Sequence, residues 1–182
     1  MNSYYNTKGA REICHDVKNT HSNKDAILTM AEYFTGLNIL DESCIIIPAP
    51  QHYGYADYTL QIAESISKAT GSKILDVLKC SPRDMLYDLK KQGKGSTAGL
   101  YLSEDIKLFG KFFFLDNVIS TGKTIKEACS TTKRNLTALV YAVDETNCQY
   151  PYAWDGKHAA IEYAIKEKER ELAKLKAQLT GA

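Results

Sequence analysis

The chain has 182 residues, with 23 basic and 22 acidic side chains and a net charge of +1. This length suits one domain with its own hydrophobic core, and the balanced charge excludes a global attraction to nucleic acid or to an anionic membrane surface. No apolar run approaches the ~20 residues of a membrane-spanning helix, and the first residues lack the basic and apolar blocks of a signal peptide. We therefore expect a soluble, cytoplasmic protein.

The cysteines are odd in number and none has the C-x-x-C spacing of a zinc or redox site. They are Cys14, Cys44, Cys80, Cys129 and Cys148. This pattern indicates reduced thiols rather than a disulfide framework. We expect Cys44 and Cys129 to belong to the core.

The first half of the chain predicts a helix followed by a buried strand. Apolar residues recur at helical spacing over 24–35, with Asn23 as the N-cap and Gly36 at the end. The short apolar run 44–47 is typical of a buried parallel strand, and it ends at Pro48-Ala49-Pro50.

The remaining elements continue the alternation of strands and helices. We predict a helix over 57–69 that ends at Gly71, a strand over 73–78, a strand from Phe112, a helix over 124–132 and a strand over 138–143. This order predicts an α/β fold with a parallel sheet flanked by helices.

A basic, glycine-containing segment without periodicity interrupts this alternation between residues 79 and 100. It could be a solvated loop or could contain a short helix over 85–89. Its basic residues are Lys79, Arg83, Lys90, Lys91 and Lys94. Their clustering gives a local affinity for anions, and nucleic-acid binding has only this cluster to support it.

The most informative stretch is residues 112–124, FFFLDNVISTGKT, in which an apolar strand ends in a polar turn and a helix follows. Backbone N–H groups at the start of a helix bind anions, and this turn adds hydroxyl groups. Asp116 lies near the end of the strand. A P-loop is excluded because Asn117 occupies the position where that motif needs a glycine. The pattern predicts a site for a phosphorylated sugar.

These 13 residues resemble the 5-phosphoribosyl-1-diphosphate (PRPP) binding loop of the type I phosphoribosyltransferases, with Asn117 in place of the second acid. The resemblance implies that Ser120, Thr121, Gly122, Lys123 and Thr124 bind the 5-phosphate. It assigns Asp116 and Asn117 to the ribose hydroxyls as the catalytic pair, and Asp116 to a Mg²⁺ ion.

The resemblance extends to the turn after the first core strand, which binds pyrophosphate in that family. Residues 47–54 occupy this position, and their Pro-x-Pro is similar to ComF-like members. Pro50, Gln51 and His52 would then meet the pyrophosphate. Lys90, Lys91 and Lys94 correspond to the family's mobile loop and would contact the same group.

The family selects its base with a variable hood, for which residues 1–40 are one candidate and the segment after the core, 149–182, is the other. Tyr152 and Trp154 resemble the aromatic tail of purine enzymes and would stack on the base; packing of this aromatic cluster on the domain is the alternative. The core of the fold would span residues 41–148.

Residues 157–179 predict a charged C-terminal helix, since they are rich in Lys, Glu, Ala and Leu and contain no Pro. Apolar residues in it follow a 4,3 spacing for fewer than three heptads. This stripe could join two copies as a homodimer, lie on the domain or project into solvent.

The resemblance implies transfer of the phosphoribosyl group from PRPP to a nitrogenous base, with a purine slightly favoured and pyrophosphate released, in nucleotide metabolism such as purine salvage. Asn117 leaves an alternative open, because an amide carries no charge and is a poorer Mg²⁺ ligand than a carboxylate. The protein could instead be a non-catalytic member of the fold that senses PRPP or a nucleoside monophosphate, or a structural protein.

Overall fold

The computed structural model describes residues 9–19, 23–82, 84 and 97–144, and four separate positions nearer the C-terminus. Its helices are α1 Ala10–Asn19, α2 Lys24–Gly36, α3 Tyr58–Thr70 and α4 Lys123–Thr132. Its strands are β1 Cys44–Pro48, β2 Lys73–Ile74, β3 Leu78–Cys80, β4 Leu100–Leu102, β5 Lys111–Ile119 and β6 Thr137–Val143. Several predictions fall on residues outside these ranges: the C-terminal helix as a whole, Lys90, Lys91, Lys94, Tyr152 and Trp154.

The main sheet has four parallel strands in the order β2-β1-β5-β6. A second, two-stranded antiparallel sheet joins β3 and β4. The predicted α/β fold with a parallel sheet flanked by helices is therefore confirmed. No helix in the described ranges is long and apolar enough to cross a membrane.

Three features predicted from the sequence are present in the structure. The Asn23 side chain caps α2 by accepting a hydrogen bond from the Ala26 N–H at 3.2 Å. All five residues of β1 are buried, as expected for a central parallel strand. Gly71 ends α3 in the left-handed region, with a φ of 76°.

The prediction of one strand over 73–78 is wrong, because the segment divides between the two sheets. Lys73 and Ile74 pair with β1, whereas Leu78 begins a strand that pairs with β4. Asp76 lies between them and forms an ion pair with Lys79 at 2.7 Å. Asp76 therefore lies where the chain leaves the main sheet. Strand β4 was not predicted, since three residues are too few to show a period.

Two hydrophobic clusters cover the two faces of the main sheet. On one face, α1, α2 and α3 pack on Phe113, Leu115 and Tyr141. On the other face, Ala128 of α4 packs with Phe112 and Phe114. Successive residues of β5 therefore pack into the hydrophobic clusters on opposite faces of the sheet, which explains why the strand is continuously apolar.

The chain order places a crevice at the carboxyl ends of β1 and β5. From β1 the chain passes through α3 to β2 on one side, and from β5 it passes through α4 to β6 on the other. The two helices cover opposite faces of the sheet. In open α/β sheets, ligands bind where neighbouring connections diverge in this way.

Candidate phosphate-binding site

A pocket lies where β5 ends and α4 begins, and it contains about 350 Å³ of space that is partly open to solvent. One wall is the turn Ser120–Gly122 with the first helical residues Lys123, Thr124 and Ile125. Asp116 lines the same pocket, together with apolar side chains of β5 and β6. The structure thus brings all five residues predicted to bind the 5-phosphate to one pocket, together with Asp116.

The start of α4 presents backbone N–H groups to this pocket. Its first helical hydrogen bond runs from the Lys126 N–H to the Gly122 carbonyl at 3.1 Å. The N-cap, Gly122, has no side chain, and its φ of 72° is one that favours glycine. The N–H groups of the first helical turn have no acceptor within the helix and carry its positive dipole end. An anion in the pocket would accept hydrogen bonds from these N–H groups and would interact favourably with the positive end of the helix dipole.

Side chains of the same turn add neutral and cationic donors. The hydroxyl groups of Ser120, Thr121 and Thr124 line the pocket, and Lys123 contributes an exposed ammonium group. The Thr121 hydroxyl oxygen also accepts a long, 3.5 Å hydrogen bond from the Lys123 N–H. Donors of both kinds surround a volume that suits a phosphate group.

Asp116 supplies the negative charge of the pocket. Its Oδ1 accepts a hydrogen bond from the Asn117 N–H at 2.8 Å. Burial raises the pKa of Asp116, and the nearby Lys18 and the Asn117 hydrogen bond only partly oppose that rise. Hydrogen-bond donors in the pocket, such as sugar hydroxyl groups, or cations there would stabilise the charged form of Asp116.

Asn117 faces the opposite side of the sheet and is only 1% exposed. Its Oδ1 accepts a hydrogen bond from the Tyr58 hydroxyl at 3.1 Å, and its Nδ2 donates one to the Cys14 carbonyl at 3.2 Å. The Cys14 thiol lies 3.8 Å from the Asn117 carbonyl oxygen, and burial raises the pKa of that thiol to about 12. Asn117 therefore joins β5 to α1 and α3, and the structure does not bring it into the pocket with Asp116.

Three of the residues predicted to bind pyrophosphate, Pro50, Gln51 and His52, lie in the turn after β1 and do not line the pocket. Pro50 is buried and has no N–H group. The Gln51 N–H donates to the Tyr55 carbonyl at 2.8 Å, and the Gln51 side-chain amide lies 3.5 Å from the Ala49 carbonyl. The His52 ring contacts the ring of Tyr53 edge to face.

The donor set for Mg²⁺ is small. No group of three or more His, Cys, Asp or Glu is placed to hold a metal ion within the described ranges. Asp116 is the one carboxylate among the described residues that line the pocket. Because Mg²⁺ in phosphate sites is held by one or two carboxylates together with ligand phosphates and water, Asp116 fits the protein's share of such a site.

Two charged residues, one acting on Asp116 and one on the helix that begins at the pocket, were not found from the sequence. Lys18, on α1, is the cation whose charge most lowers the pKa of Asp116. Glu127, on α4, accepts hydrogen bonds from the N–H groups of Ala98 and Leu100 at 2.7 and 2.8 Å. Both act across long sequence separations, for which a single sequence holds no signal.

Comparison of the sequence with protein-family models and with curated proteins finds no match.

Proposed function

We propose that the protein binds PRPP or a nucleoside monophosphate in this pocket and belongs to the phosphoribosyltransferase-like proteins. The observation that carries the proposal is the pairing of an uncapped helix start with a carboxylate in one pocket. The helix start suits the 5-phosphate, and Asp116 suits the ribose hydroxyl groups.

The reaction that such a site would serve is phosphoribosyl transfer to a base. A base nitrogen forms a bond to C1 of the ribose, the bond from C1 to the pyrophosphate oxygen breaks, pyrophosphate leaves with the electron pair, and the nitrogen loses its proton to solvent. Here the α4 turn would fix the 5-phosphate, and Asp116 would stabilise positive charge on the sugar. Mg²⁺, when bound, would neutralise charge on the pyrophosphate.

The second candidate is a binding protein of the same fold without efficient transfer. Asn117 supports it, because both functional atoms of the side chain are used within the core. Asp116 is then the single acid available to the ribose from this motif. A protein of this kind would sense PRPP or a nucleotide.

The two candidates are separated by measuring binding and turnover on the same preparation. Isothermal titration calorimetry with PRPP, ribose 5-phosphate and nucleoside monophosphates tests the site itself. Pyrophosphate release from PRPP across a panel of purine and pyrimidine bases tests transfer. Binding with no release supports the sensor, release with any base supports the enzyme, and no binding of any phosphorylated ribose overturns both.

A further inference from the structure

The turn after β1 carries three aromatic rings that contact one another. The ring centroids of His52 and Tyr53 are 5.1 Å apart, and those of Tyr53 and Tyr55 are 4.9 Å apart, both edge to face. Tyr55 is 57% exposed, whereas Tyr53 and His52 are half-buried. The exposed Tyr55 ring thus packs against Tyr53, which in turn packs against His52.

This aromatic turn is held in one conformation by hydrogen bonds. The Tyr53 hydroxyl donates to the Asp57 carboxylate at 2.6 Å, and the other Asp57 oxygen accepts from the Gln61 side chain at 3.2 Å. The Gly54 N–H donates to the Gln51 carbonyl, and the Cys80 N–H donates to the Gly54 carbonyl. A rigid aromatic group binds a flat ring with little loss of conformational freedom.

The same turn is a poor cradle for pyrophosphate. It contains no Lys or Arg between Ala49 and Tyr58, and it does contain the acidic Asp57. Two of its N–H groups, those of Gln51 and Gly54, are used within the turn. Its chemistry therefore favours an uncharged, planar group over a multiply charged anion.

The aromatic turn and the phosphate-binding turn follow neighbouring strands. β1 pairs with β5 in parallel, and the Ala49 N–H extends this pairing by donating to the Leu115 carbonyl at 2.9 Å. Both turns therefore leave the carboxyl edge of the sheet from neighbouring strands, and β5 continues for four residues beyond Leu115, the partner of Pro48, before its turn begins. If the phosphate of a ligand is bound at the start of α4, its ribose and the group on ribose C1 would lie over this edge.

We propose that the turn after β1 is a nucleobase platform, on which Tyr55 stacks against the base of a nucleoside monophosphate. This inference rests on the proposed binding of a phosphorylated ribose at α4 and assigns its base to Tyr55, supported by Tyr53. A purine presents more ring surface than a pyrimidine and should bind more tightly. Base binding would take the place of the pyrophosphate binding that the family resemblance implies for Pro50, Gln51 and His52.

The test compares ligands with and without a base on matched variants. Calorimetry with guanosine and adenosine 5′-monophosphates, ribose 5-phosphate and inorganic pyrophosphate is carried out on the wild type, Tyr55→Ala and Tyr55→Phe. Tyr101→Ala is the control, since Tyr101 on β4 is similarly exposed at 50%. We expect Tyr55→Ala to weaken monophosphate binding about tenfold, the usual loss for one stacked base, and Tyr55→Phe and Tyr101→Ala to leave it within about twofold.

Ribose 5-phosphate separates failure of this inference from failure of the proposed site. If the wild type binds ribose 5-phosphate and Tyr55→Ala leaves monophosphate affinity unchanged, the base lies elsewhere and the platform is overturned. Equal losses for ribose 5-phosphate and the monophosphates overturn it too, because a stacking role affects only ligands with a base. If pyrophosphate binds the wild type and Tyr55→Ala weakens that binding, the turn binds pyrophosphate, as the family resemblance implies, and the platform is overturned. If the wild type binds no phosphorylated ribose, the proposed function fails and the platform fails with it.

Discussion

The Tyr58 hydroxyl donates a hydrogen bond to the Asn117 side-chain oxygen at 3.1 Å, across 59 positions of the sequence. Both residues are almost completely buried, at 4% and 1% exposure. This contact, with that between Asn117 and the Cys14 carbonyl, fixes the amide in one orientation, because Nδ2 must face an acceptor and Oδ1 a donor. An amide is thus the group that this part of the core requires.

We therefore expect Asn117→Asp to destabilise the protein by about 3 kcal/mol near neutral pH, since a buried carboxylate cannot donate to the Cys14 carbonyl. The motif alone suggests that restoring the acid preserves or raises turnover, but the buried position predicts no gain. The new carboxyl would have a raised pKa, so its cost should grow as the pH rises above about 4, the unfolded value. Urea unfolding between pH 5 and 8 measures this. The exposed Asn135→Asp is the control, and a variant as stable as wild type at pH 8 would contradict the prediction.

Asp116→Asn should leave the unliganded protein as stable as the wild type or make it more stable, while weakening ligand binding. Burial raises the folded pKa of Asp116 above its ordinary value of 3.8. Wild-type stability from this group is therefore complete below that value and declines as the pH rises toward the folded pKa. The stability difference in favour of Asp116→Asn should widen over this range. Unfolding curves against pH, with the exposed Asp105→Asn as control, test the trend; a narrowing difference would show that Asp116 is stabilised as a carboxylate.

Gly122→Ala should lose about 1 kcal/mol of stability, because a side chain at a φ of 72° is strained. Phosphate affinity should fall as well, and more steeply for Gly122→Val, since Cβ atoms restrict the backbone's approach to the anion. Gly36→Ala is the matched control. A Cβ at Gly36 meets no atom within 4 Å and lies in a helix, so this change should be neutral or stabilising. Equal effects at the two glycines would remove the case for a special role of Gly122.

Glu127→Ala should destabilise the protein by about 2 kcal/mol, because it deprives the N–H groups of Ala98 and Leu100 of a charged acceptor. Hydrogen exchange at these two amides should accelerate more than exchange in β1. Glu127→Gln retains one acceptor oxygen and should give a smaller loss. If the exposed Glu64→Ala on α3 costs as much, the two hydrogen bonds contribute nothing specific.

The sequence predicted the central elements and the phosphate turn because both have local signals. Asn23, the apolar β1 and Gly71 each act within one turn or strand, and residues 112–124 form one strand-turn-helix unit. The direction of Asn117 had no such signal, since its hydrogen-bond partners lie 59 and 103 positions away. The same holds for Glu127 and for the division of 73–78 between two sheets, which depends on a partner strand more than 20 residues later. Spatial pairings of this kind cannot be read from periodicity.

The shared core of the N-terminal helices and the sheet limits how this protein can be divided or recombined. Cys14 and Val17 of α1 and Phe34 of α2 are buried in the same cluster as Phe113 of β5. Removing the first 40 residues would expose to water the part of this face that α1 and α2 cover, and it would leave Asn117 without one of its partners. Ligand preference should therefore be altered by single substitutions in the turns at the sheet edge, whereas exchange of the N-terminal segment as a module would compromise folding.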